Sequence, residues 1–240
     1  MSGHLIRELG FCGKIPARGD FVQSDFNADF LKNWNEWLQA VVAVSREQVK
    51  DGWLDCYLTS PVWHFALSPG VCCESGVLGT LIPSVDQVSR HFPFTLAALH
   101  NVSPLQAWHK NNWSASFENV ILEVLEDDFD LDTWFEQLKT QVQEVSGGQI
   151  DISHIESEDK IKKGWVIQGD MTPEPIELLH HQYLHHFGNY SLWWTMGSEL
   201  VEPCFIVTDG LPQVSQFVAM LDGQWRQRNW NTSEIQRKEL

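Results

Sequence analysis

The chain has 240 residues, 43% of them hydrophobic and 20% charged, a composition that supports a sizeable core and excludes a disordered chain. Acidic residues outnumber basic ones 32 to 16, for a formal net charge of -16. No basic patch offsets that field, which argues against a nucleic-acid partner and against anionic membrane surfaces. The N-terminal MSGHLIRELGFCGKI has no signal-peptide core, and no stretch approaches the roughly 20 apolar residues that span a bilayer. Five cysteines (12, 56, 72, 73 and 204) without metal-ligand spacing point to reduced thiols in a cytoplasmic protein. In that compartment Arg18-Gly19-Asp20 is no adhesion motif, and the sequons at Asn101, Asn112, Asn189 and Asn231 are chance matches.

In chain order, residues 4 to 12 predict a first strand. Ser24 or Asp25 then suits a helix cap, and Phe26, Phe30, Trp34, Trp37, Val41 and Val44 recur at helical spacing up to Asp51-Gly52. A short helix is expected over 53–58. Strands are expected at 62–67, 77–82 and 94–99, divided by Pro-Gly and Ser-Gly turn signals. Pro104 opens a mostly helical stretch to residue 125, and a further helix covers 131–145 before Gly147-Gly148. QIDIS (149–153) and GWVIQ (164–168) suggest short strands, and IELLHHQYLHHF a helix. Strands at 191–196 and 203–208 and a helix at 214–221 complete the pattern. Strands arrive in groups, so the expected fold is α+β: a mainly antiparallel (mixed) sheet flanked by helices, an α/β/α-like sandwich. A single domain spans 1–222, followed by a polar, loosely attached tail over 223–240.

Few motifs carry chemistry. Gly13-Lys14 is followed by Ile15 and Gly10 lies too close, so the nest of a phosphate loop is absent. Glu177, His181 and His185 share a helix face, but the outer two lie ~12 Å apart at 1.5 Å rise per residue, too far for one ion. Cys72-Cys73 has no identifiable activating base. SVDQVSRHFPFT (84–95) gathers Ser84, Asp86, Ser89, Arg90 and His91. These suit acid–base work, or equally a structural Asp86–Arg90 pair, which is the favoured reading. From Glu118 to Glu136 there are eight acidic and no basic residues, Asp127, Asp128 and Asp130 among them. That stretch is either two solvated helix faces or a docking surface for a basic partner. In the WWT strand, Trp193 and Trp194 point to opposite faces, and an exposed tryptophan there would be an interface anchor beside Thr195.

Taken together, GKIPARGDF (13–21), WLDCYLTSPVWHFALSPG, IPSVDQVSRHFPFTLAA, SLWWTMGS, DGLP and FVAMLDGQW resemble, in this order, the TagF (ImpM) family of type VI secretion-associated proteins of Gram-negative bacteria. The resemblance runs from about Gly10 to Trp225 and departs at Met196, where the family often carries an acidic residue. It implies a cytoplasmic, non-enzymatic repressor that sequesters the machine's forkhead-associated scaffold, Fha, without a cofactor or metal. On this reading Arg18, Asp20, Ser84, Asp86 and Arg90 are family markers, expected to form a partly buried polar cluster. The alternative is a small-molecule or phosphopeptide sensor, or a cryptic hydrolase, using Arg18, Asp20, Asp86 and Arg90.

Overall fold

The computed structural model describes residues 6–110, 113–141 and 174–234. Seven strands form one sheet: β1 (Ile6–Gly13), β2 (Val22–Gln23), β3 (Trp63–Leu67), β4 (Gly76–Ile82), β5 (Phe94–His100), β6 (Tyr190–Thr195) and β7 (Cys204–Asp209). Their order is β2-β1-β5-β4-β3-β6-β7, and every described pairing is antiparallel, so the expected sandwich holds without a parallel component. The central strands β3, β4 and β5 are buried along their whole length, because helices cover both faces. The strands expected at 149–153 and 164–168 lie outside the described residues.

One face carries α1 (Ala28–Val49), the amphipathic helix that the aromatic spacing predicted, with α2 (Trp53–Leu58) after a 3₁₀ turn over Lys50–Gly52. The cap is Asn27, whose side chain accepts from Phe30 N at 2.9 Å. Ser24 instead belongs to the sheet, its Oγ accepting from Phe11 N at 2.9 Å. Trp34, Trp37, Phe65 and Trp193 fill this side, with Trp34 and Trp193 stacked at 5.8 Å and 8°. Such pairing adds about 1 kcal/mol beyond the area buried. Phe65 lies across Gly79, where any side chain would strike the Phe65 ring.

The other face carries α3 (Pro104–Lys110), α4 (Trp113–Leu122), α5 (Leu131–Gln141) and α6 (Pro175–Phe187). The stretch expected as one helix from 104 to 125 therefore contains two helices and a 3₁₀ turn at Glu123–Leu125. Two sheet threonines each take one indole donor, one on either face. Trp34 Nε1 donates to Thr95 Oγ1 at 2.9 Å, and Trp113 Nε1 to Thr80 Oγ1 at 2.7 Å.

The C-terminal segment is less helical and better attached than expected. Only Ala219–Asp222 (α7) is α-helical. Carbonyls around it meet side-chain donors: Pro212 accepts from Trp37 Nε1 at 2.9 Å, Met220 from Trp63 Nε1 at 3.1 Å, and Gln216 from Trp230 Nε1 at 3.0 Å. Trp225 and Trp230 pack against the α1-side core, so residues 224–230 are not a loose tail. No helix among the described residues is long and apolar enough to cross a membrane.

Candidate functional site

Two loops meet at one end of the sheet, residues 14–21 after β1 and 83–93 between β4 and β5. Gly13 opens the first with φ +141, and a Cβ there would strike the Pro93 carbonyl oxygen, so glycine is required. Gly19 has no such requirement, since the nearest atom to a Cβ would be Gln87 Oε1 at 3.6 Å. Arg18 N donates to Ile15 O at 3.1 Å to close a turn over Pro16-Ala17, and Arg18 O then accepts from Gln87 N at 3.0 Å.

Asp86 is the hub. Its side chain is 0% exposed, and its two oxygens receive four donors. Lys14 Nζ and Arg90 Nε reach Oδ2 at 2.8 and 2.6 Å, while the amides of Val88 and Arg90 reach Oδ1 at 3.1 and 2.8 Å. Burial alone would raise the carboxyl pKa, but the Lys14 ammonium and the Arg90 donors outweigh it and hold the group well below the usual carboxylate range. The Arg90 guanidinium continues to the Gly19 carbonyl through Nη2 and so ties the two loops together. Ser84 anchors the base: its carbonyl accepts from Tyr57 Oη at 2.9 Å and from Phe92 N at 3.1 Å.

The expected five-residue cluster therefore forms only in part. Ser84, Asp86 and Arg90 come together with Lys14, which sequence reasoning passed over. Arg18 joins only through its backbone; its guanidinium points outward, 4.0 Å from Asp132. Asp20 is exposed, and no hydrogen bond or ion pair engages its carboxylate among the described residues. Asp20→Ala and Arg18→Ala are each expected to change the unfolding free energy by less than about 0.5 kcal/mol in denaturant titrations. Since Asp86 is already saturated by donors of its own chain, it has no free oxygen to offer a ligand.

The interface candidates divide in the same way. Trp193 is wholly buried on the α1 face, with Nε1 donating to Ser191 Oγ at 2.8 Å. Thr195 is buried and caps the following turn, its Oγ1 accepting from Gly197 N at 3.0 Å. Neither can anchor a partner. Trp194 is half-buried on the opposite face and stacks on His64 at 5.7 Å. Asp127 and Asp128 are exposed. Asp130 caps α5, accepting from Thr133 N at 3.2 Å and Thr133 Oγ1 at 2.7 Å, and these donors lower its pKa.

The Cys72 and Cys73 thiols and the His64 imidazole are inward and uncharged. Burial pushes the Cys72 thiol up to about 12 and raises Cys73, which removes the thiolate a nucleophile needs. His64 Nδ1 lies 2.9 Å from Thr80 Oγ1 and its Nε2 lies 3.6 Å from Glu118 Oε2, an arrangement reminiscent of an acid–base–hydroxyl relay. Thr80 is fully buried and burial lowers the His64 pKa to about 4, so no substrate atom reaches this hydroxyl. No group of three potential metal ligands assembles among the described residues.

Residues 10–144 match the model of the TagF N-terminal domain, described as Type VI secretion system-associated. The crystal structure of PA0076 from Pseudomonas aeruginosa PAO1 superposes with a TM-score of 0.78 at 26% identity, covering 97% of this chain and 100% of that one. No curated protein matches. The family match spans more than half of the sequence and includes both loops tied by Asp86, so the chain belongs to the TagF family of type VI secretion system-associated proteins.

Proposed function

We propose that this protein is a cytoplasmic negative regulator of type VI secretion that acts by binding and sequestering the machine's forkhead-associated scaffold, Fha. The observation that carries the reading is the role of the family-marker residues. Ser84, Asp86, Arg90 and Gly13 shape and lock two loops: the Asp86 carboxylate, the Arg90 Nε and Nη2 donors and the Ser84 backbone are all engaged within their own chain. A framework of this kind serves recognition by a surface rather than turnover in a pocket. Glu123, Glu126, Asp127, Asp128, Asp132 and Glu136 form an exposed acidic run that includes exposed Leu122 and Leu125. Such a surface suits a basic partner, because opposite fields speed encounter and select against wrong partners.

The test is a calorimetric titration of this chain against the scaffold from the same secretion cluster, with and without threonine phosphorylation of the scaffold. Saturable binding that weakens with added salt is the expected result. No heat in either phosphorylation state, with both proteins folded, would sink direct sequestration.

A further inference from the structure

The two edges of the sheet are not equally protected. β2 closes one edge with only two residues, the shortness by which proteins blunt exposed strand edges. β7 closes the other with six residues, CFIVTD, paired to β6 in unbroken register with no bulge. Neither proline nor lysine interrupts it. Outside the ladder to β6, the one hydrogen bond to a β7 backbone group among the described residues is from Thr208 Oγ1 to its neighbour's carbonyl, at 3.3 Å. Alternate amides and carbonyls of β7 thus face away from the sheet without a backbone partner.

The side chains next to this edge form a platform. Phe205 is 41% exposed, although it sits in a strand, and Trp108 of α3 lies against it at 4.8 Å while itself 39% exposed. Val207 follows on the same face, half-buried. Along the chain on either side of β7 the charge has one sign: Glu199, Glu202 and Asp209 are exposed, and there is no Lys or Arg between Lys163 and Arg226, the Lys or Arg nearest in sequence to the platform being Lys110 at the end of α3. A second copy of the chain would bring the same acids against this edge, and with a net charge of -16 overall the field opposes that pairing.

The geometry points to β7 as a strand-addition site for an extended protein segment with apolar side chains at alternate positions and lysine or arginine at its flanks. The segment would become the eighth strand. Main-chain hydrogen bonds to Cys204–Asp209 would supply affinity, the Phe205–Trp108 platform would take its apolar side chains, and Glu199, Glu202 and Asp209 would select its charge. This inference rests on the scaffold-binding reading and assigns it a surface.

Amide hydrogen exchange on the full chain, alone and with saturating scaffold, tests it. The outward amides of Cys204–Asp209 exchange freely in the chain alone and slow by roughly tenfold or more in the complex. Phe205→Lys, a change at an exposed position, weakens binding by roughly tenfold or more with an unchanged melting temperature, while Phe205→Leu retains binding. Binding without slowing at β7 overturns the strand-addition site and leaves the scaffold reading intact. Absence of any binding overturns both. Protection of β7 already present in the dilute free chain, or appearing with rising concentration of the chain alone, assigns the edge to this chain or to a second copy and overturns the proposal.

Discussion

Asp86→Ala is expected to lower the unfolding free energy by roughly 3 kcal/mol, because it leaves a cation and two backbone amides without their acceptor in a buried setting. The stranded groups are Lys14 Nζ and the amides of Val88 and Arg90, all within 3.1 Å of the carboxylate. Arg90 is 58% exposed and can recover solvent, whereas Lys14 is only 16% exposed. Most of the loss therefore belongs to Lys14 and the loop amides. Lys14→Met should cost less, about 1 kcal/mol, since Asp86 keeps three of its four donors. Combining the two should recover part of the Asp86→Ala loss, because the ammonium is no longer buried alone. Denaturant titrations of the three variants measure the cycle. An unchanged midpoint for Asp86→Ala would show that the two loops are held by something other than this carboxylate.

Acidification from pH 6.5 to 4 is expected to destabilise the fold by about 3 kcal/mol through His100, and by less through His64, where Glu118 Oε2 lies 3.6 Å from Nε2 and favours the protonated ring. Burial lowers both to about 4, and at His100 the neighbouring backbone of Val102 and Val77 opposes the shift only in part. An unfolded histidine titrates near pH 6.5. Between those values the unfolded chain binds protons that the folded chain refuses, so stability is fully present above pH 6.5 and drains away as pH falls towards 4. The Asp86 contribution lies lower, because its folded pKa is depressed and its loss begins only as the pH approaches the ordinary carboxylate range. Thermal melts across this window should show a continuous fall, and His100→Leu should remove the larger part of it. A flat profile between pH 6.5 and 4 would mean that both rings are hydrated or paired when folded.

Elements whose signal is local were legible in the sequence. The spacing from Phe26 to Val44 places α1 because it records a single buried face, and β3, β4 and β5 declare themselves by apolar runs between turn signals. Errors arise where distant parts compete. Asn27 displaced Ser24 as the cap because Ser24 is claimed by Phe11 in the sheet. The stretch expected as a helix over 214–221 forms instead as successive turns, with the amides of Gln216, Ala219 and Met220 each donating three residues back, and becomes α-helical only at Ala219–Asp222, while Gln216 O is shared with the distant Trp230 indole. Lys14 was missed for the same reason, since Asp86 lies 72 residues away. Alternation separates Trp193 from Trp194, but which face is the deeper depends on where α1 packs, and no short-range pattern encodes that.

The indole donors also say something about how the molecule is made. Trp37 and Trp63 leave the ribosome early, yet their N–H groups wait for the carbonyls of Pro212 and Met220, 175 and 157 residues further on. The family match ends at residue 144, before β6, β7 and these carbonyls have been synthesised. At roughly 5–20 residues per second, the nascent chain spends several seconds with an incomplete sheet and unpaired core indoles. The stretch matched by the family model is thus shorter than the stretch that completes the core, and these two indoles find their acceptors only once residues 212 and 220 have been synthesised.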